Sequence, residues 1–344
     1  MALRVTGRYR YPPPRPAWLE LHAEPILEPD LPIIDAHHHL WVEPGNPYLL
    51  DELAADVTSG HRIVATVFVQ AYYGYREHGP AELRCVGETE QVAAIRSAAR
   101  RRALGSDIAA AIVGFADLLL GERVASVLEA HRQAAPDAFR GVRQSVSRDE
   151  NFPEGIVVPP APPGLLADSR FRAGLAAVQR HGLTFDAMLY HGQIRELEAL
   201  AAALPELPVV LDHLGCILGV GPYEGRQHEE FLTWRADMTA LARRPNVFVK
   251  LGGLGMIVCG ARWHEHATPP NSEQLAAAWR PYVETCIELF GPRRCMFEGN
   301  FPVDKGMFSY PVLWNAFKRL TVGMSAAERA ELFQGTAARF YQIS

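Results

Sequence analysis

Two histidines one residue apart close a short apolar run, Pro32-Ile33-Ile34-Asp35-Ala36-His37-His38-His39-Leu40-Trp41. In a strand, side chains alternate between faces, so Asp35, His37 and His39 share one side and His38 takes the other. Two imidazoles on one face of a strand end can grip a single cation, and imidazole is the commonest protein ligand for zinc and related metals. Two more histidines end later apolar runs: His191 follows Phe185-Asp186-Ala187-Met188-Leu189-Tyr190, and His213 closes Val209-Val210-Leu211-Asp212-His213. For an isolated His-x-His pair, a loop hydrogen bond is the commoner fate. Four histidines at the ends of three apolar runs shift the reading towards one site, in which His37, His39, His191 and His213 hold a divalent ion or act as a polar catalytic cluster. Zinc suits four such donors, because it is bound by nitrogen and sulfur ligands in four-coordinate sites.

The elements that must position them repeat along the chain. Short β-branched runs read as strands at 33–39, 63–70, 108–115, 141–146, 183–189, 209–213, 247–251 and 295–300. Helix-forming stretches lie between them at 88–102, 122–134, 171–181, 193–204, 229–242 and 274–290. A last helix near 325–340 opens on Ser325 with Glu328 three residues on, a capping box. Alternating strands and helices imply a parallel sheet with crossover helices. Eight strands favour a closed (β/α)8 TIM barrel over an open doubly wound sheet, and no Gly-x-Gly-x-x-Gly loop follows the first strand. Catalytic residues of such barrels sit at the C-terminal ends of the strands, where all four histidines fall. Two loops, 147–167 and 255–270, look like insertions at that end. The second repeats the His-x-His spacing at His264 and His266, flanked by proline, and reads as a lid or surface segment.

Residues 1–30 are proline-rich and without period, an N-terminal arm that could clasp a second subunit in a homodimer; 31–344 read as one barrel domain. The chain has 344 residues, is 48% hydrophobic and carries a net charge of -5. That leaves no basic stripe for nucleic acid. No apolar run reaches membrane-spanning length, no signal pattern opens the chain, and five cysteines without Cys-x-x-Cys spacing suggest no disulfide framework. A cytoplasmic enzyme with a small-molecule substrate is the expectation.

These motifs carry a resemblance. Asp35-Ala36-His37-His38-His39, Leu211-Asp212-His213-Leu214-Gly215, Val249-Lys250-Leu251-Gly252-Gly253 and Met296-Phe297-Glu298-Gly299-Asn300-Phe301-Pro302 are similar to segments of the amidohydrolase superfamily, in its amidohydrolase-related branch. That branch includes sugar-lactone and pyrone-dicarboxylate lactonases and some decarboxylases. The resemblance spans about residues 30–343 and implies a barrel hydrolase attacking a carbonyl or lactone with water, often activated by one divalent metal. It also gives Arg143, on the fourth strand, the role of binding a substrate carboxylate, which a guanidinium can do bidentately. One departure matters. The family places an aspartate, as metal ligand and base, where this chain has Asn300, and an amide cannot act as a general base. Glu298, two residues earlier on the same face, and Asp304, on the following loop, are the substitutes. Their alternatives are a buried ion pair for Glu298, with Lys250 as partner, and a solvated loop acid for Asp304. Losing the aspartate leaves metal-independent action open.

Gln70, Tyr72 and Lys305 complete the candidate set: a hydrogen bond to a substrate hydroxyl, a flat rim shared with Tyr73 and Tyr75, and a charge for an anionic group. The expected activity is opening of an anionic or polyhydroxylated lactone, with His213, Glu298, Asn300 and Asp304 as catalytic groups. A decarboxylase or hydratase of an unsaturated or aromatic acid, and a catalytically silent binding barrel, are the competing readings.

Overall fold

The computed structural model describes residues 11–344. Eight parallel strands pair in chain order: β1 (Ile33–His38), β2 (Ile63–Val69), β3 (Asp107–Gly114), β4 (Phe139–Arg143), β5 (Thr184–Ala187), β6 (Val209–Leu211), β7 (Val247–Leu251) and β8 (Cys295–Phe297). The chain just past β8 returns to β1 through a parallel bridge between His38 and Phe301. The amides of His39 and Asn300 donate to Phe301 and His37 carbonyls, each at 2.8 Å. The result is a (β/α)8 TIM barrel, as the strand count implied.

Parallel strands are covered on both faces, so they read as unbroken apolar runs, and all six residues of β1 are buried. One face of the sheet packs on the surrounding helices. The inner face is filled by small residues such as Ala36, Ala65 and Ala111 with Val67, Val210 and Met296, and Phe340 and Tyr341 join that cluster. Helices follow the predicted positions within a few residues, for example Val86–Arg102, Ala125–Ala134 and Ser272–Phe290. The Ser325 hydroxyl accepts from the Glu328 amide, as the capping box requires, and the segment runs through a π-turn to Phe340.

The differences lie at the C-terminal strand ends. Strands extrapolated to Val146, Leu189, His213 and Asn300 stop at Arg143, Ala187, Leu211 and Phe297. The chain turns there instead of running on: His213, Leu214 and Cys216 have φ of 55°, 54° and 42°, and Asn300 has 53°. These left-handed conformations break a ladder that the apolar pattern alone would extend. A short hairpin, Trp41–Glu43 with Asn46–Tyr48, follows β1 and was not anticipated.

The described part of the arm lies along its own barrel. The Tyr11 ring stacks on Trp41 at 5.1 Å, and Trp18 donates to the His266 carbonyl at 3.0 Å. Lys318 donates to the carbonyls of Leu27 and Glu28 at 2.7 and 2.8 Å. The loop with His264 and His266 is therefore pinned by the arm. Among the described residues no helix is long and apolar enough to cross a membrane.

Candidate active site

His37 and His39 meet at the top of β1, their Nε2 atoms 3.1 Å apart. A backbone carbonyl fixes the tautomer of His39. His39 Nδ1 faces the Val69 carbonyl at 2.8 Å, which can only accept, so Nδ1 carries the proton and Nε2 the lone pair. His37 is not fixed in this way: its Nδ1 lies between an acceptor, Glu298 Oε2 at 2.9 Å, and a donor, Lys250 Nζ at 3.2 Å, while its Nε2 lies 3.3 Å from Arg143. Burial, with the nearby Lys250 charge, pushes the His37 pKa down to about 4, so the ring is neutral. His38 points elsewhere, to the Thr66 hydroxyl at 3.0 Å. Asp35 does not join the pair. It accepts from the Gly299 amide at 2.7 Å and the Tyr310 hydroxyl at 2.8 Å, after an irregularity in β1 pairing between Asp35 and His38.

Below the imidazoles lies a buried ionic floor. Lys250, on β7, places Nζ 2.7 Å from Asp186, 3.0 Å from Asp212 and 3.2 Å from His37 Nδ1. Burial disfavours its charge, but Asp186, Asp212 and Glu298 outweigh that and raise its pKa. Tyr341 donates to Asp186 at 2.7 Å from beneath. Arg143 adds a second cation, 3.6 Å from Asp212, and donates to the Gln70 carbonyl. Sequence reasoning missed Asp186 and Asp212 as site residues. The signal was present: a charged residue inside an apolar strand run is rarely buried unless paired.

Glu298 braces two imidazoles at once. Its Oε1 lies 2.7 Å from His213 Nδ1 and accepts the His213 amide at 3.2 Å, while Oε2 stands 2.9 Å from His37 Nδ1 as a charge contact outside hydrogen-bond geometry. Burial would raise the carboxyl pKa, yet His213 and His37 hold it down to about 2. For His213 burial acts downwards, and Glu298 overcomes it, leaving the imidazole above its usual value. The direct Glu298–Lys250 ion pair, the alternative weighed for this residue, gives way to contacts with His213 and His37, although the Glu298 charge still helps to raise the Lys250 pKa. Glycine makes the space: a Cβ on Gly252 would sit 2.4 Å from Glu298 Cγ, and one on Gly253 2.5 Å from His213 Nδ1. Asp304 is fully buried, not a solvated loop acid. It accepts from Asn300 Nδ2 at 3.2 Å and the Gly255 amide at 3.3 Å, and burial raises its pKa to about 7.

Two expectations need correction. His191 is not with the other three histidines. It opens a 3₁₀ turn after β5, so its Nε2 meets Glu230 at 3.0 Å and its Nδ1 accepts the Leu218 amide at 3.2 Å, which uses both nitrogens. Lys305 does not face the cavity either. It pairs with Asp56 at 2.6 Å and lies over the Tyr48 ring.

Among the described residues, one group of three could hold an ion: His37, Asp212 and His213, with donor atoms within 4.8 Å of one another. Both Asp212 oxygens lack a hydrogen-bond partner, which suits a ligand. However, Lys250 and Arg143 already balance that carboxylate, and Asn300 brings no charge. The donor set fits a loosely held ion, not a tightly caged one.

His39, Gln70, Tyr72, Arg143, His213 and Asn300 line one cavity of about 130 Å³. Tyr73 and Tyr75 pack against the core instead of forming a rim. Glu88 supports the lip: its Oε1 accepts the amides of Ala71 and Tyr73, each at 2.8 Å, on either side of Tyr72 with φ 62°. Burial raises the Glu88 pKa from 4.5 to about 7 against the pull of those amides. An acid raised in this way ionises first in the unfolded chain. Its contribution is therefore full below pH 4.5 and is lost as pH rises towards 7. The E88Q variant keeps an acceptor oxygen and removes the ionisation. It is expected to shrink the fall in unfolding free energy between about pH 5 and 8 by on the order of 2 kcal/mol, read from urea titrations. An unchanged fall would show that Glu88 does not titrate with folding.

A family model described as amidohydrolase matches residues 34–343, and the chain belongs to that family. The family is one of enzymes acting on small molecules. An uncharacterized protein, y4mH, of Sinorhizobium fredii is 33% identical, over 91% of this chain and 99% of its own length. An L-fucono-1,5-lactonase of Burkholderia multivorans is 30% identical, over 68% of this chain and 72% of its own. A crystal structure of an amidohydrolase from Burkholderia multivorans with bound zinc superposes with a TM-score of 0.68 at 25% identity, covering 91% of this chain and 99% of that one.

Proposed function

We propose that the protein is a cytoplasmic hydrolase that opens a lactone with water. The observation that carries this reading is the carboxylate–imidazole pair of Glu298 and His213. Glu298 holds Nδ1, and His213 lines the cavity beside Arg143 and Asn300. A base oriented by a second group and set next to a cation is the arrangement acyl transfer to water needs. In the proposed reaction neutral His213 takes a proton from a water hydrogen-bonded to Asn300. The water oxygen bonds to the lactone carbonyl carbon, and Arg143 stabilises the resulting oxyanion. Collapse of that adduct breaks the ring C–O bond. The imidazolium returns its proton to the departing oxygen, giving the hydroxy acid. Asp304, bonded to Asn300, fixes the amide so that its oxygen faces the water.

The lactonase relative in Burkholderia multivorans supports the reaction class. A divalent ion, zinc by analogy with the zinc-containing amidohydrolase, would be held by His37, Asp212 and His213 and would supply Lewis-acid polarisation of the carbonyl; it would occupy the one His213 nitrogen that Glu298 leaves free, so it is an alternative to the His213 base and not an addition to it. Decarboxylation on the same fold is disfavoured, since no carboxylate stands at position 300. The test is a panel of aldono-, alkyl- and aryl-lactones followed by acid release, with metal content measured before and after dialysis against a chelator. Acid release from at least one lactone is expected, with any metal lost on dialysis. No acid release, together with carbon dioxide from an aromatic acid, would overturn the hydrolase reading.

A further inference from the structure

The ionic floor under the histidines has a resident cation. Lys250 enters from β7 with its side chain wholly buried, and two neighbours hold its head. Asp186 takes the ammonium at 2.7 Å, and Nζ lies over the Tyr341 ring at 5.5 Å, whose hydroxyl also bonds Asp186. From that position Nζ stands 3.0 Å from Asp212 and 3.2 Å from His37 Nδ1. Asp212 and His37 are two of the three residues whose donor atoms could hold an ion. One ammonium thus touches most of that seat, and a close-packed interior gives it no room to swing away when an ion arrives.

The contact with Asp212 is one of charge alone. Asp212 Oδ1 faces Lys250, and Oδ2 faces Arg143 at 3.6 Å, yet among the described residues neither oxygen accepts a hydrogen bond. Their lone pairs are free for a metal, while their charge is already answered. Asp186, Asp212 and Glu298 set three negative charges against the two positive charges of Lys250 and Arg143. A dication added to that balance would overshoot it by one positive charge, in an interior where like charges repel more strongly than in water. With a neutral residue at position 250, the same dication would bring the balance to zero. We propose that Lys250 sets how weakly the seat of His37, Asp212 and His213 holds a divalent ion, and that a neutral side chain in its place turns the seat into a tight zinc site. The inference rests on the ion seat named in the proposed function, but not on the lactone.

Zinc binding to the full chain tests it, read by competition with a chromophoric chelator and by the rise in melting temperature on adding zinc chloride. K250M and K250Q both remove the charge, and glutamine keeps an N–H donor for the floor. Each is expected to bind zinc at least about 100-fold more tightly than the wild type, and to gain more in melting temperature from it. Adding H213N to either variant should abolish the gain, which ties it to this seat and not to surface histidines or cysteines. A variant too unstable to purify alone is refolded with and without zinc, and recovery that depends on zinc is the expected result. Zinc affinity no tighter in the variants than in the wild type, a gain that survives H213N, or recovery indifferent to zinc overturns the inference. Acid release from lactones by the wild type decides the hydrolase separately, since neither zinc readout involves a substrate.

Discussion

The H213N variant is expected to lower kcat for lactone opening by about 10³-fold, within the 10²–10⁴ range of a positioned acid–base group. Asparagine is the informative choice. Its amide N–H can replace Nδ1 as donor to Glu298, so the buried carboxylate keeps a partner at the position His213 holds at 2.7 Å. What is lost is the second nitrogen, on the cavity side. A base contributes to the chemical step and not to ground-state binding, so KM should move little while kcat falls. Retention of more than about a tenth of wild-type kcat would remove His213 from the role and point to Asp304 instead.

The largest effect on stability is expected at Lys250. Replacing it with methionine strips the ammonium from Asp186 and Asp212, all three fully buried. Breaking such a pair from one side costs about 3–5 kcal/mol, because it leaves uncompensated charge in the interior. Asp212, whose carboxyl is held well below the usual range by Lys250 and His37 against the effect of burial, is the group left exposed to that cost. Unfolding free energy from denaturant titration reads the loss. The K250M/D186N double variant should recover part of it, as removing one negative charge with the positive one restores the balance. A double variant no more stable than K250M would show that Asp186 is not a partner in energy, whatever its distance.

How far the sequence reaches can be judged at particular residues. The β/α alternation set the barrel, because a parallel sheet covered on both faces leaves an apolar run for every strand. His37 and His39 followed from strand periodicity, and His213 from its place after such a run. His191 failed by the same argument: parity holds only while the strand continues, and the chain had entered a 3₁₀ turn. Lys305 failed because Asp56, 249 positions earlier in the chain, competes for it, a contact no local pattern displays. The ionic floor was legible as charge within apolar runs, but the choice of partners was not. Glu298 bracing two imidazoles depends on the room left by Gly252 and Gly253, which only the assembled barrel reveals.

His213 begins a turn in which Leu214, Gly215 and Cys216 also hold positive φ, and three of those four residues are not glycine. Such conformations persist only when their surroundings over-determine them. Here the surroundings are apolar: Leu214 and Cys216 are wholly enclosed, and the Trp234 indole clamps the Leu214 carbonyl at 2.8 Å. The aim of the proposed base is thus inherited from oily packing behind it. With His213 in its proposed role, substitutions at positions 214, 216 and 234 would misaim it, although none of them lines the cavity.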